Sequence, residues 1–152
     1  MIEIRNTQRK IKLDTKRIKK EVQAILDLLG YSDFDLGILF ANNATIHEYN
    51  LTYRQKDKPT DILSFPAYPD LKPGERIEAD DDDEKNLGDL ILSPEYITVD
   101  AKRLRTSFEA RLQRLLVHGI CHLLGHDHII DADYKVMHKQ EMTLLRALKK
   151  LK

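Results

Sequence analysis

The 152-residue chain has a single cysteine, Cys121, so it can form no intrachain disulfide, and a reducing environment is the default expectation. It has no run of about 18 apolar residues, which excludes a membrane-spanning helix. Neither sign of charge is in excess. Twenty-five basic residues stand against 25 acidic ones, which argues against an indiscriminate polyanion binder at the level of the whole chain. No apolar leader follows Met1, and neither an internal repeat nor a long linker interrupts the sequence. A cytoplasmic protein with no membrane role is expected. Apolar residues make up 41% of the chain and charged residues 33%, with clear apolar periodicity. That balance suits a globular protein with a charged surface. The length predicts one domain, 1–152, large enough to build a core without a disulfide or metal staple.

A neutral total hides an uneven distribution. Residues 1–20 and 101–114 are strongly basic, whereas residues 78–84 carry Glu78, Asp80, Asp81, Asp82, Asp83 and Glu84. The acidic run sits inside Tyr68–Asn86, a polar segment with Pro69, Pro73 and Gly74 that reads as a long mobile loop.

The apolar spacing predicts strands at Ile2–Arg5, Phe34–Phe40, Asp61–Phe65 and Asp89–Leu92. Helices are expected from Asp14 or Thr15 to Gly30, from an Asn43 cap to about Arg54, and from Ser93-Pro94-Glu95 onward. Two more are expected from a Ser107 cap to about Leu124 and over about Asp133–Leu148. The sum is an α+β fold: a small mixed four-stranded sheet packed with about five helices, mainly on one side.

The segment Val117-His118-Gly119-Ile120-Cys121-His122-Leu123-Leu124-Gly125-His126-Asp127-His128 carries the chemistry. On a helix advancing 100° per residue, His122 lies about 40° from His118, Arg111 about 20° and Arg114 about −40°. Most other directions are apolar, so the helix is expected to be largely buried, with one polar stripe bearing both histidines. Imidazoles at i and i+4 can share one metal ion, and a turn at Gly125 can bring His128 back to it. One zinc ion per chain on His118, His122 and His128, with a vacant fourth position, would be a catalytic arrangement. Cys121 follows His118 too closely to join them and is expected to be a small packing residue.

This spacing is similar to the metzincin pattern H-E-x-x-H-x-x-G-x-x-H, with one departure. Gly119 stands where those peptidases carry the Glu that acts as general base. Three blocks together resemble the YbeY family of bacterial rRNA maturation factors. They are Asn50–Arg54 running into Pro59–Pro66, Leu87–Ser93, and His118–His128 followed by Met137-x-x-x-Glu141. The resemblance implies a zincin-like metal-dependent hydrolase architecture with a zinc-like metal on the three histidines. It implies endoribonuclease activity on single-stranded RNA and a role in small-subunit rRNA maturation and ribosome quality control. It also implies a functional Arg54, expected to hold a phosphate. Asp127 is expected to orient a ligand imidazole. The general base stays unassigned, with His126 and Asp127 among the candidates. Arg111 and Arg114, about 10 Å and 6 Å along the helix from His118, are expected to guide RNA together with Lys102, Arg103 and Arg105. His47 and His138 fall on expected helix surfaces and receive no role. Two other functions fit the same motif: a metallohydrolase of peptides or small substrates, and a non-catalytic ribosome-binding factor whose metal is structural.

Overall fold

A computed structural model of the chain describes residues 1–127 and 130–151. Ten elements follow one another: β1 (Ile2–Asn6), α1 (Thr15–Leu29), β2 (Asp35–Phe40), α2 (Asn43–Arg54), β3 (Ile62–Pro66), a 3-10 turn (Asp82–Glu84), β4 (Asn86–Leu92), α3 (Pro94–Arg103), α4 (Phe108–Leu123) and α5 (Asp131–Lys150). The sheet order is β1-β2-β4-β3. β1, β2 and β4 are mutually parallel, and β3 runs antiparallel to β4 at the sheet edge. The expected mixed four-stranded α+β sheet with five helices is the fold.

Local chemistry sets the helix starts. Asp14 accepts from Arg17 N (3.1 Å) to open α1, and Ser107 accepts from Ala110 N (3.0 Å) to open α4. The cap of α2 is Asn42, which accepts from Thr45 N at 2.8 Å, one residue before the expected Asn43. Asn43 is used elsewhere. Its side chain accepts from Ser93 Oγ (2.7 Å) and its N–H donates to Glu95 Oε1 (2.8 Å), which ties the start of α2 to that of α3.

Strand alternation then splits the side chains between two faces. Leu36, Ile38 and Phe40 of β2 and Leu90 and Leu92 of β4 face the main core, under α1, α4 and α5. Leu63 and Ile91 face the other way and meet Ile46 of α2 in a smaller cluster. The deepest helix is α4. Leu116, Val117, Ile120, Cys121 and Leu123 are all fully buried, and a buried leucine or isoleucine stabilises by roughly 1.5–3 kcal/mol. Gly119 makes the close approach possible, because a Cβ there would lie 2.7 Å from Ile62 Cδ1 and 2.9 Å from Leu90 Cδ2.

The segment expected to be a mobile loop is instead tied down. Arg76 donates to Leu29 O (3.1 Å) and Gly30 O (2.8 Å), so its cation sits on the carbonyls at the end of α1. It also lies 4.3 Å from the Tyr31 ring centroid. Ile77 is buried, its N–H donating to Tyr31 Oη (3.1 Å), and Tyr68 Oη donates to Glu84 O at the far end. Hydropathy alone could not show these anchors, because each lies about 16 or more residues away in sequence.

Candidate metal centre

The floor of the site is α4. Its apolar residues bury three sides against the sheet and α5, and the remaining stripe opens into a cleft of about 400 Å³ beside the edge strand β3. His118 and His122 lie on that stripe one turn apart, as their spacing predicts. Their rings meet edge to face, with centroids 4.5 Å apart and planes at 88°.

The hydrogen bonds fix what each ring can do. His118 Nδ1 donates to Glu141 Oε2 at 3.0 Å, and His122 Nδ1 donates to the carbonyl of His126 at 2.9 Å. Burial pushes the Glu141 carboxyl up, but the His118 hydrogen bond and the charges of His118, Arg114 and His138 outweigh it and hold the group below its usual range. Glu141 is therefore a carboxylate at neutral pH, able only to accept. Each Nδ1 is therefore the donor, and in a neutral ring the Nε2 presents a lone pair. Those two Nε2 atoms face each other at 3.1 Å. At that separation the two atoms either share one proton in an N–H···N hydrogen bond or, with both rings neutral, turn two lone pairs toward one cation. Two ligands of a tetrahedral zinc, with bonds of about 2.0–2.1 Å, stand about 3.3 Å apart. The pair therefore fits a shared metal ion.

The third expected ligand, His128, lies outside the described residues. Among the described residues, no group of three or more His, Cys, Asp or Glu side chains gathers at metal-binding distance. Gly125, with φ +92°, makes the turn that follows α4, and a Cβ there would meet Leu71 O at 2.2 Å. Only glycine satisfies both conditions. Cys121 is fully buried, and burial followed by the nearby Glu141 charge pushes its thiol up to about 12. It is a neutral packing residue, as expected.

The remaining sequence candidates separate. Arg54, at the end of α2, lines the cleft and donates from Nη2 to Ser64 O on β3 (3.2 Å). Arg114 is exposed at the cleft and has no ion pair among the described residues. Arg111 also lines it, but its Nη2 lies 3.4 Å from both Asp61 Oδ2 and Asp100 Oδ2, so two carboxylates balance its charge. Arg103 is likewise paired with Asp100, at 2.8 Å. His126 does not face the cleft. It lines a separate cavity with Tyr31 and Arg76, where burial holds its imidazole below the usual value, so it is not placed to act as the base. Asp127 is half-buried on the turn. The acceptors on the two described rings are Glu141 and the His126 carbonyl.

Sequence reading assigned no role to Glu141 or His138. Glu141 falls four residues after Met137, on the buried stripe of α5, and an acid on such a stripe is the available signal. Nothing local marks His138 or Tyr134 as cleft residues. Only the packing of α5 against α4 brings them there.

Comparison with known proteins gives a consistent picture. The family described as Endoribonuclease YbeY matches residues 3–149. A human protein of that name is 37% identical over 145 residues, covering 95% of this chain and 86% of its own length. One from Carboxydothermus hydrogenoformans is 37% identical over 151 residues, with 97% of each chain covered. One from Aquifex aeolicus is 40% identical over 121 residues, covering 80% of this chain and 73% of its own. The solution structure of a Thermotoga maritima protein superposes with a TM-score of 0.64 at 21% identity, over 97% of this chain and 89% of that one, a likeness of fold.

Proposed function

This chain belongs to the YbeY endoribonuclease family, and from that premise we propose that it is a zinc-dependent endoribonuclease that cuts single-stranded RNA in the cleft above His118 and His122. The substrate is small-subunit ribosomal RNA, the setting is the cytoplasm, and the role is rRNA maturation and ribosome quality control. The observation that carries the metal-dependent part is the convergence of two Nε2 atoms at 3.1 Å, each ring oriented by an acceptor on Nδ1.

His118, His122 and His128 hold the ion, one per chain. Zinc bound there supplies Lewis-acid polarisation of a phosphoryl oxygen and of the attacking hydroxyl. Glu141 keeps the His118 ring in the tautomer that can ligate and raises its basicity. Arg54 spends one N–H on Ser64 O and offers other donors of its planar guanidinium to a phosphate, offsetting the charge that grows during the displacement. Arg114 adds a second cation at the cleft, while Arg111 chiefly braces Asp61 and Asp100. Asp127, half-buried after α4, is assigned to orient a ligand imidazole.

A polyanionic substrate suits the cleft better than a peptide. Arginines line it, and Gly119 supplies no carboxylate base. The helix could not easily hold one at that position, where a bare Cβ already crowds Ile62 and Leu90. The test pairs zinc content with cleavage of a single-stranded RNA, in wild type and in His122→Ala. Wild type should carry about one ion per chain and cut RNA, and the variant should lose both. Cleavage that survives chelation would overturn the metal-dependent reading, and cleavage of peptides but not RNA would overturn the substrate.

A further inference from the structure

We propose that Tyr134, stacked on His138, is a nucleobase platform at the rim of the cleft, where one base of the bound single strand stacks beside the cleaved phosphate. The inference rests on the RNA reading above and adds a subsite to it. The two rings are nearly parallel, with planes at 9° and centroids 5.7 Å apart. Both line the cleft that holds His118 and His122. Tyr134 is 52% exposed, far more than a packing role requires. That exposure leaves ring surface on which a further ring can stack.

Placement in α5 adds direction. Tyr134, His138 and Glu141 recur at helical spacing and form one stripe. Glu141 ends that stripe on the His118 ring. His138 and Tyr134 therefore stand about 5 Å and 10 Å further along the axis, towards the start of the helix. Asp131 and Asp133 share the first turn with Tyr134. Their charges repel phosphates, so a strand crossing this rim presents a base to α5 and keeps its backbone on the side of Arg54 and Arg114. Single strands are bound in just this division of labour, with cations along the backbone and aromatic faces under the bases. Every base has a π-face, so the platform confers affinity for unpaired nucleotides with little sequence preference. A duplex keeps its bases stacked on each other and cannot use it, so the platform selects for single strands.

The chain has no tryptophan, so Tyr134→Trp provides a single indole at the site, excited selectively over the remaining tyrosines. The probe is a 2′-O-methyl oligouridine of about ten nucleotides, titrated into full-length zinc-loaded protein, with a matched set carrying one abasic position. Tryptophan emission should be quenched saturably by the intact strand, and one abasic register should bind without quenching. Tyr134→Ala should weaken binding about ten-fold. It should also raise KM for single-stranded RNA while kcat stays near wild type, and Tyr134→Phe should behave as wild type. Unchanged emission on a strand whose binding is established by anisotropy would overturn the platform, as would Tyr134→Ala binding within two-fold of wild type. Failure of wild type to bind or cut any single-stranded RNA would instead remove the RNA reading on which the platform depends.

Discussion

Glu141 gives the sharpest test of the site, because its effect on the metal is separable from its effect on folding. Its carboxylate lies 3.0 Å from His118 Nδ1 and is 8% exposed. An ion on His118 Nε2 would sit about 7 Å from that oxygen, across the ring. A carboxylate attracts a dication at that range by about 1.2 kcal/mol at the dielectric constant of water and about 4.7 kcal/mol at an effective value of 20. A nearly buried oxygen beside an open cleft falls between the two. The range brackets the 10- to 100-fold loss of metal affinity, about 1.4–2.7 kcal/mol, that follows removal of such orienting partners elsewhere. Glu141→Gln keeps the shape and an amide oxygen for the ring N–H but removes the charge, so it should lower zinc affinity about ten-fold. Glu141→Ala removes both and should approach 100-fold. The assay is competition for zinc against a chromophoric chelator at fixed pH, with circular dichroism to establish that each variant is folded. If Glu141→Gln binds zinc within two-fold of wild type, the carboxylate charge does not tune that ligand, and if Glu141→Ala does so too, the orienting role of Glu141 on His118 fails.

Three further outcomes are expected. Gly119→Glu restores the H-E-x-x-H spelling but forces a side chain into Ile62 and Leu90. Overpacking of about 1–3 kcal/mol, plus the cost of burying a charge, should lower Tm by at least about 5 °C with no gain of peptidase activity, and a Tm within 1 °C of wild type would contradict the close approach of α4. The Asn43 N–H, then Lys10, hold the Glu95 carboxyl below its usual range. A depressed carboxyl contributes stability above its ordinary pKa and loses it as pH falls through the folded value, so Glu95→Gln should melt below wild type at pH 7 and approach it as acid protonates the wild-type carboxyl. A gap that stays constant down to pH 3 would refute that assignment. Arg114→Ala should reduce the salt dependence of RNA binding by about one unit, whereas Arg111→Ala should leave that slope unchanged and lower stability, because Asp61 and Asp100 lose their shared cation. Equal slopes for the two variants would put Arg111 back on the RNA path.

Much of this molecule is legible in one dimension, because the forces that shape it there are local. Period-2 and period-3.6 apolar spacing, Asp14 and Ser107 as caps, and Gly30 as a stop place the elements within a few residues. The i, i+4 spacing of His118 and His122 follows from helix geometry alone, and so does their common face. Tertiary structure decided what depends on side chains distant in sequence. It set Glu141, 23 residues away, on the His118 ring. It set Arg111 beside Asp61, 50 residues away, a carboxylate partner that the helical stripe alone could not show. It pinned a loop that composition marks as mobile, through Arg76 and Tyr31. It also aimed Tyr134 and His138 into the cleft by the packing of α5 on α4. A linear pattern reports which face a residue occupies, whereas the partner on that face depends on how whole elements dock.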